Sequence, residues 1–458
     1  MNESPTIFVI FGITGDLSQR KLLPALLSLY VKKVLPKKFF IVGFARRAFT
    51  REEFRQLIRD EMNVKPDQYQ GEEIKHFLDH IVYEQGHFDD IGSYERLSVT
   101  LKKIDEYWKR CSNKLFHLSV SPSFYEKILA NLARSGMTIP CSNDEGWTRV
   151  LVEKPFGNDL DTAQKLDALL GKLFTETQIF RIDHYLAKEA MQNIIAFRFA
   201  NSLFEPLWNN NFIEGVEIKL LENIGIDGRG SFYDGVGAIR DVGQNHLLQM
   251  LALVAMEHPK DLNPKMIRAG RADVFKHLLP VSEKNISKFL TRGQYEGYLS
   301  EAGVKSGSET ETYFRLITYI NNRRWKGIPF LLETGKALHE SKSEINVYFK
   351  NKINQKSTNV LTFRIQPNEA IQIRFWVKTP GFGVNIEPKT LSFKYSDWGI
   401  ANSIPDAYER VILDAISGDQ TLFASTDEVK YAWRFITPLV RAIRNIPLKI
   451  YKKGSKII

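Results

Sequence analysis

Short apolar runs alternate with amphipathic helical patterns through the first third of the chain. The runs have the length of buried strands, and in the helical patterns apolar residues recur every three or four positions, as at Leu22, Leu23, Leu26 and Leu27. Strands that alternate with helices are typical of a parallel, doubly wound sheet. The predicted strands are residues 6–12, 38–46, 114–120 and 148–156, and the predicted helices are residues 17–30, 51–62 and 95–109.

The pattern changes in the later part of the chain, where apolar and polar residues alternate with a period of two. This period is typical of an antiparallel sheet with one covered face. Residues 367–369 are expected to form a hairpin turn between two of its strands, and the change of pattern predicts a domain boundary near residue 180. The predicted strands are residues 215–222, 345–350, 359–366 and 370–379, and the predicted covering helices are residues 241–256 and 427–444.

Composition and charge limit the classes of protein to consider. The 458 residues predict two or three domains, and 43% hydrophobic with 25% charged residues are ordinary for a soluble globular protein. The net charge of +10 favours anionic partners such as phosphates and nucleotides. The basic residues are spread along the chain, and their densest group, the tail from residue 449, is typical of a solvated end. We therefore do not expect nucleic-acid binding.

The amino-terminal residues and the cysteines bear on the compartment. Residues 1–12 contain no basic region and no small-residue cleavage site, so export is not expected. The longest apolar stretch, residues 247–256, is about half the length of a membrane-spanning helix. The only two cysteines, Cys111 and Cys141, cannot build a disulfide framework or fill a structural zinc site alone. The expectation is a reducing, cytoplasmic location without a bound metal.

Two glycines stand at the first predicted strand-to-helix turn. Gly12 and Gly15 would allow a tight turn, and the helix that follows would offer free N–H groups to a pyrophosphate. An ordinary turn is the alternative, because Gly-x-x-Gly is shorter than the usual dinucleotide motif. The second strand ends in Arg46 and Arg47 rather than in an acidic residue. Because arginine suits a 2′-phosphate, the sequence favours NADP over NAD.

Residues 181–189 place several polar side chains within a few positions. If the segment is helical, His184 and Lys188 lie on one face and, with Tyr185 beside them, can hold a phosphate. Asp183 would point elsewhere and could orient a histidine. The alternative is a solvated helix start with an ordinary ion pair.

Two further residues are candidates for chemistry. His246 lies where residues 240–251 change from charged to apolar, and its imidazole would suit a general base, although a histidine in such a position is usually structural. Lys154 precedes Pro155, which blocks a helix there. Lys154 should therefore stand at the carboxyl edge of the sheet, where open α/β sheets bind ligands, or else at a merely exposed strand end.

Five segments together carry a family resemblance. GITGDLSQRKLLPAL, EKPFG, RIDHYLAKE, GRGSFYDGVGAIRDVGQNHLLQ and GKALHESK run in this order from residue 12 to about residue 342. The chain resembles the glucose-6-phosphate dehydrogenases, in which the same segments occur in the same order. The combination of RIDHYL with QNHLLQ is highly specific for that family.

The resemblance implies a fold and a reaction. The fold is an α/β Rossmann-like N-terminal domain, residues 1–180, that binds NADP, followed by an α+β C-terminal domain, residues 181–458, with a large mainly antiparallel sheet. The reaction is oxidation of glucose 6-phosphate at C1 to 6-phosphogluconolactone with hydride transfer to NADP, the first step of the oxidative pentose phosphate pathway. A homodimer that forms through the C-terminal domain, or a dimer of such dimers, is also implied.

The resemblance also implies a role for each residue at a matching motif position. His246 matches the general base, and Asp183 matches the carboxylate that orients it. The phosphate would be held by His184, Tyr185 and Lys188, and the sugar hydroxyls by Lys154, Glu222, Asp241 and Lys336. The cofactor would be bound by Gly12, Thr14, Gly15, Asp16 and Leu17 in the turn, by Lys21 and Arg46 near the adenosine phosphate, and by Lys154.

Two residues depart from the family pattern, and two other functions are alternatives. Ala187 replaces a usual glycine, and Ser341 stands where another basic residue commonly helps to hold the phosphate. One alternative is another NADP-dependent sugar oxidoreductase, against which RIDHYL and QNHLLQ argue. The other is a catalytically silent nucleotide-binding or basic interaction protein, against which the retention of Asp183 and His246 argues.

Overall fold

Two β-sheets organise the part of the chain that the structure describes. This computed structural model describes residues 4–62, 69–142, 145–351, 357–398 and 404–456. Its strands are β1 (Thr6–Phe11), β2 (Phe39–Ala45), β3 (Ile81–Gln85), β4 (Asn113–Leu118), β5 (Thr148–Val152), β6 (Ile179–Ile182), β7 (Ile213–Leu221), β8 (Leu290–Tyr295), β9 (Tyr313–Thr318), β10 (Phe330–Gly335), β11 (Lys342–Phe349), β12 (Val360–Gln366), β13 (Ala370–Lys378), β14 (Ile386–Lys394), β15 (Phe423–Ala424) and β16 (Leu448–Tyr451).

Helices connect and cover these strands. The α-helices are α1 (Leu23–Val31), α2 (Arg51–Glu61), α3 (Gly71–Asp79), α4 (Ile91–Trp108), α5 (Tyr125–Arg134), α6 (Leu160–Leu173), α7 (Glu189–Phe199), α8 (Gly230–Tyr233), α9 (Leu248–Ala255), α10 (Pro264–Lys276), α11 (Ile286–Phe289), α12 (Ala407–Ser417) and α13 (Thr426–Ala442). Two segments wind as π-helices, Ser18–Leu22 before α1 and Ile239–Leu247 before α9. In the described residues, no helix combines the length and the apolar character needed to cross a membrane.

The first sheet is a seven-stranded, almost wholly parallel sheet. Its order is β15-β6-β5-β4-β1-β2-β3, and only the edge strand β15 runs antiparallel to its neighbour. Strand β1 is buried along its whole length and β5 at every residue except the half-buried Arg149, which explains their apolar runs. This sheet is the doubly wound α/β domain that the alternation of strands and helices predicted.

The second sheet has nine strands in the order β14-β13-β12-β11-β7-β10-β9-β8-β16. Most neighbours are antiparallel, while the pairs β7–β10 and β8–β16 are parallel. Pro367 lies in the hairpin between β12 and β13, whose pairing runs from Val360 opposite Arg374 to Arg364 opposite Ala370. The predicted large, mainly antiparallel sheet is confirmed.

The chain divides between two units in a way that the sequence pattern did not predict. The first unit comprises Met1–Gly157, Asp161–Ala187 and Pro405–Thr426, and the second comprises Asn158–Leu160, Lys188–Ile404 and Asp427–Ile458. The single boundary expected near residue 180 therefore differs from the observed division. A later segment returns to the first unit because α12 packs against α1 and β15 extends the first sheet. Periodicity carries no signal for such a return.

Two further expectations differ from the structure. The tail from residue 449 is not a solvated end, because Leu448–Tyr451 forms β16 and pairs with β8; Ile457 and Ile458 lie outside the described residues. Cys111 and Cys141 are joined by a disulfide within the first unit. One bridge is not a disulfide framework, but a disulfide is unusual in the reducing compartment that we expected.

Candidate functional site

The turn after β1 comes very close to the neighbouring strand end. Gly12 has a φ of +81°, and a Cβ there would lie 2.4 Å from the Ser119 carbonyl oxygen, so a side chain does not fit. The Gly15 N–H donates to the Gly12 carbonyl oxygen at 2.9 Å. The helical backbone begins at Asp16 and continues as the π-helix Ser18–Leu22. A bare backbone before a helix N-terminus fits a dinucleotide pyrophosphate.

The charged residues of this first helix are exposed. Asp16 pairs with Arg20 at 2.6 Å, one helical turn later. The Lys21 amine lies 3.5 Å from the carboxylate of Asp406, which caps the N-terminus of α12. Lys21 is thus accessible at the side of the turn where a cofactor phosphate is expected. The remaining predicted turn residues, Thr14 and Leu17, are half-buried.

The end of β2 lies beside the glycine turn. The Gly12 N–H donates to the Phe44 carbonyl oxygen at 2.8 Å, and Arg46 follows two residues later with an exposed side chain. The guanidinium of Arg47 instead lies 5.4 Å from the ring centroid of Phe49. Of the two neighbouring arginines, Arg46 is the one that remains available to a phosphate beside the turn.

The carboxyl end of β5 carries Lys154 and a buried acid before it. Lys154 is half-buried and is joined to Pro155 by a cis peptide bond. The carboxylate of Glu153 accepts a hydrogen bond of 3.2 Å from the Tyr408 hydroxyl and lies 3.4 Å from Nε2 of His117. Sequence reasoning missed Glu153 and Tyr408, because their contact joins residues 255 positions apart.

The segment after β6 is a turn rather than the predicted helix. Oδ1 of Asp183 accepts a hydrogen bond of 3.0 Å from the Tyr185 N–H, and its carbonyl oxygen accepts one of 3.0 Å from the Leu186 N–H. An aspartate that binds the backbone two residues on favours a turn over a helix. The helix α7 begins only at Glu189, with Lys188 as its extended N-cap. The predicted one-helix face of His184 and Lys188 is therefore wrong.

The turn nevertheless gathers predicted site residues at one edge of the first sheet. Strands β5 and β6 are parallel neighbours, so Lys154 and Asp183 follow adjacent strand ends. Asp183 is only 2% exposed, and Tyr185 is buried. The half-buried imidazole of His184 lies 6.4 Å from the Tyr408 ring at an interplanar angle of 13°. This edge is where ligands bind to open α/β sheets.

In the second unit, a buried lysine stands between two carboxylates. The Lys336 amine donates a hydrogen bond of 2.5 Å to Glu222 and lies 3.8 Å from Asp241. The Lys336 side chain is 4% exposed, whereas that of Glu222 is 28% exposed. The amine also lies 5.4 Å from the ring centroid of Tyr233. Three of the four predicted sugar-binding groups are thus brought together, with donors and acceptors suited to hydroxyl groups.

The π-helix Ile239–Leu247 carries both Asp241 and His246. Because a π-helix bonds residues i and i+5, these two residues lie roughly one turn apart along the helix. His246 is 3% exposed, and its backbone N–H donates to the side-chain oxygen of Asn245 at 2.6 Å. The Asn245 amide in turn donates to the Asp241 carbonyl oxygen at 2.9 Å. The predicted base therefore lies on the same π-helix as Asp241, and Asn245 forms hydrogen bonds within that helix.

A buried glutamate closes the N-terminus of this π-helix. Oε1 of Glu311 accepts a hydrogen bond of 3.1 Å from the Ile239 N–H, and a Cβ on Gly237 would lie 2.3 Å from the same oxygen. Burial raises the pKa of Glu311 to about 7, although the N–H of Ile239 opposes the rise. Nothing in the local sequence marks Glu311, because its role depends on a contact 72 residues away.

The positions that depart from the family pattern are engaged in other contacts. The Ser341 hydroxyl donates to the Asn223 side-chain oxygen at 2.6 Å and accepts from the Asn223 N–H at 3.0 Å. The Lys342 amine lies 3.0 Å from Glu340 and 3.2 Å from Glu344. Burial opposes ionisation, but these carboxylates raise the pKa of Lys342 above its usual value. Lys342 is therefore held by acids rather than directed to replace the missing basic residue.

The remaining predicted phosphate ligand, Lys188, is the first residue of the longest segment of the second unit. Lys188 donates a hydrogen bond to the side-chain oxygen of Gln366, at the end of β12. Ala187, immediately before it, is buried, with 2% of its surface exposed. His184 and Tyr185 belong to the first unit and Lys188 to the second.

Comparisons with known proteins cover both units. The family model described as "Glucose-6-phosphate dehydrogenase, NAD binding domain" matches residues 9–193, and the model described as "Glucose-6-phosphate dehydrogenase, C-terminal domain" matches residues 195–457. A glucose-6-phosphate 1-dehydrogenase of Aggregatibacter actinomycetemcomitans is 42% identical over 455 residues, which cover 96% of this chain and 91% of the relative.

A plant relative and a solved structure extend the match. "Glucose-6-phosphate 1-dehydrogenase 6, cytoplasmic" of Arabidopsis thaliana is 40% identical and covers 98% of this chain and 89% of its own length. The solved structure, a glucose-6-phosphate dehydrogenase in complex with its substrate glucose-6-phosphate, has a TM-score of 0.91 and 34% identity. Their alignment covers 99% of this chain and 95% of that one.

Proposed function

This chain belongs to the glucose-6-phosphate dehydrogenase family, and from that premise we propose that it oxidises D-glucose 6-phosphate at C1 to 6-phospho-D-glucono-1,5-lactone with NADP as hydride acceptor. It is an oxidoreductase with a domain for a nicotinamide dinucleotide. The observation that carries the choice of substrate is the cluster of Lys336, Glu222 and Asp241. The cluster supplies hydrogen-bond donors and acceptors for sugar hydroxyls, and its Asp241 lies on the same π-helix as the buried His246.

His246 is the general base in this proposal. It accepts the proton of the C1 hydroxyl while the hydride leaves C1 with its electron pair, so that the C1–O bond becomes a double bond. Asp183 fixes the productive imidazole tautomer and stabilises the cation that forms, as the carboxylate of a catalytic triad does. The nicotinamide ring, when bound, supplies the hydride acceptor.

The remaining residues hold the substrate in place. Lys154, Glu222, Asp241 and Lys336 bind the sugar hydroxyls, and His184, Tyr185 and Lys188 bind the 6-phosphate. Fixing C1 relative to the base and the acceptor lowers the barrier by supplying the orientation before the reaction. Because Ser341 is bonded to Asn223 and Lys342 to acids, the phosphate is held with one basic residue fewer than is common in the family.

NADP is the proposed cofactor in preference to NAD. Gly12, Thr14, Gly15, Asp16 and Leu17 would hold the pyrophosphate, and Lys154 is a further proposed cofactor residue. The exposed Arg46 and Lys21 stand beside this turn and suit the 2′-phosphate in charge. The support for this assignment is the absence of an acidic residue at the end of β2, where an NAD site carries one.

The proposed assembly is a homodimer that forms through the second sheet. Strands β13 and β14 expose apolar side chains on one face, with Phe375 37% and Leu391 67% exposed, and their connecting loop exposes Phe382 and Val384. A patch of this kind is typical of a protein interface. Leu391→Glu should yield a monomer in light scattering, whereas Val99→Glu, at an exposed apolar position of the first unit, should leave the mass unchanged.

A cytoplasmic location is proposed for the enzyme. The Arabidopsis thaliana relative is named cytoplasmic, while a relative from Spinacia oleracea is named chloroplastic. The disulfide between Cys111 and Cys141 argues in the other direction, because reducing compartments keep thiols reduced. Acid trapping of thiols in intact cells, followed by mass spectrometry, distinguishes a reducing location from one that permits the disulfide. Cytoplasmic protein should carry both cysteines reduced.

A substrate panel tests the proposed reaction against its alternatives. Reduced-nicotinamide absorbance should rise with glucose 6-phosphate and NADP, and far less with free glucose. A preference for free glucose would instead identify another sugar oxidoreductase. Folded protein that reduces neither cofactor and binds DNA in a salt-dependent way would identify a silent interaction protein.

A further inference from the structure

The backbone around Lys336 is held from outside its own strand. Lys336 follows β10 and precedes Ala337, whose φ of +53° lies in the left-handed region that alanine rarely adopts. The Lys336 N–H donates to the Thr312 carbonyl oxygen at 2.9 Å, and the Ala337 N–H donates to that of Ile224 at 2.7 Å. A turn with this geometry needs neighbours that keep it in place.

The last strand supplies several of these neighbours. The Tyr451 hydroxyl donates to the Lys336 carbonyl oxygen at 2.7 Å. Beyond β16, the Gly454 N–H donates to the Ala337 carbonyl oxygen at 2.8 Å, and the Ser455 carbonyl oxygen accepts from the His339 N–H at 3.2 Å. The segment after residue 447 is therefore bonded at three places to the turn that follows β10.

Tyr451 is itself rigidly placed. Its ring packs in a buried cluster with Tyr295, Tyr298 and Tyr313, and its backbone pairs with Tyr295 across β16 and β8. The hydroxyl lies 2.9 Å from the Thr312 hydroxyl, and burial raises the pKa of Tyr451, so the phenol remains a hydrogen-bond donor. A donor fixed in this way can hold a carbonyl, and with it the lysine side chain on the same residue.

We propose that the Tyr451 hydroxyl is a positioning group for the reaction: it fixes the backbone of Lys336 and thereby aims the Lys336 amine at the substrate. The inference rests on the proposed function, because it takes Lys336 as a sugar ligand. It assigns to the last strand a part in substrate binding, in addition to its part in the sheet. Tyr451 does not touch the substrate and acts only through Lys336.

Two phenylalanine variants separate positioning from packing. Tyr451→Phe keeps the ring in the cluster and removes the hydroxyl, which donates to the Lys336 carbonyl oxygen and also bonds the Thr312 hydroxyl. Tyr298→Phe is the matched control, because Tyr298 belongs to the same cluster and its hydroxyl donates to Asp234 at 3.1 Å rather than to the Lys336 turn. Each variant removes the hydroxyl of one buried tyrosine, so a general loss of stability should affect both.

Two readouts are measured on both variants. In Tyr451→Phe, the KM for glucose 6-phosphate should rise about tenfold, as expected for a buried carbonyl left without its donor, with kcat and the KM for NADP within about twofold of the parent. Amide hydrogen exchange of residues 336–339 should also become faster than in the parent. Tyr298→Phe should change neither quantity.

Equal behaviour of the two variants, in either direction, would overturn the proposal. The exchange measurement needs no turnover. It therefore tests whether Tyr451 fixes the Lys336 backbone even if the parent protein does not oxidise glucose 6-phosphate. If exchange is faster in Tyr451→Phe but the parent protein is inactive, the proposed function is contradicted and the contact of Tyr451 with the Lys336 backbone is supported. Faster exchange in an active Tyr451→Phe variant with an unchanged KM would overturn the role in substrate binding.

Discussion

Oε1 of Glu311 lies 3.1 Å from the backbone nitrogen of Ile239 and accepts its hydrogen, so a buried carboxyl group closes the start of the π-helix that carries His246. Because this carboxyl group is buried, the stability of the fold around the π-helix depends on pH. Burial raises the pKa of Glu311 from 4.5 to about 7.

The sign of the dependence follows from linkage. The folded state holds the proton of Glu311 more tightly, so this contribution to stability is complete below pH 4.5 and is lost as the pH rises through 7. The loss is on the order of 3 kcal/mol. Between pH 5 and 8, the free energy of unfolding of the parent should fall relative to that of Glu311→Gln, whose side chain cannot ionise. Parallel stability curves for the two proteins would contradict the assignment.

A second prediction concerns the charge of Lys336. Lys336→Met keeps most of the stem but leaves Glu222 and Asp241 without their cation and the sugar without a donor. The KM for glucose 6-phosphate should rise tenfold or more, since a hydrogen bond to a charged group is worth about 1.5–3 kcal/mol, and the KM for NADP should not change. Lys350→Met, which removes an exposed bond to Asn210, is the control. A similar effect of both substitutions would contradict the role of Lys336.

The local elements of the fold could be predicted from sequence because their signals are local. Burial on both sides gives β1 an apolar run over residues 7–11 and β5 one over residues 150–152, and alternation identified β12 and β13 to within a residue or two. The glycine turn was also predictable, because the backbone at Gly12 leaves no space for a side chain. These features depend on a few neighbouring residues.

The features that the sequence did not predict depend on distant contacts. Asp183 turns residues 183–186 by binding its own backbone, which a helical pattern of side chains conceals. Tyr408 reaches the first sheet only because α12 returns to it, and the apparently solvated tail becomes β16 because β8 offers a free edge. Glu311 reads as an ordinary surface acid until Ile239 is placed beside it.

A third prediction separates the two arginines after β2. Arg46→Ala should raise the KM for NADP several-fold and leave that for NAD nearly unchanged, because NAD has no 2′-phosphate to lose a partner. Arg47→Ala is the control, since its guanidinium stacks on Phe49. The ratio of kcat/KM for NADP to that for NAD is the quantity to measure. If Arg46→Ala leaves this ratio unchanged, Arg46 is not in the cofactor site.

A fourth prediction concerns the proposed base. His246→Asn should lower kcat by about a hundredfold or more, as loss of a general base does, while NADP affinity measured by fluorescence stays similar. His277→Asn serves as the control, because this histidine is the C-cap of α10 and its imidazole contacts the carbonyl oxygen and the carboxylate of Asp273. Near-normal turnover in His246→Asn would remove His246 from the chemistry.

The most direct test of the account follows the hydrogen on C1. Purified protein is mixed with NADP and glucose 6-phosphate deuterated at C1, and the reduced nucleotide is analysed by mass spectrometry and NMR. Transfer of the C1 hydride predicts one deuterium at C4 of the nicotinamide and one equivalent of the phosphogluconolactone. Reduced nucleotide without deuterium, or no reduction by folded protein, would contradict the claim that this enzyme oxidises glucose 6-phosphate at C1.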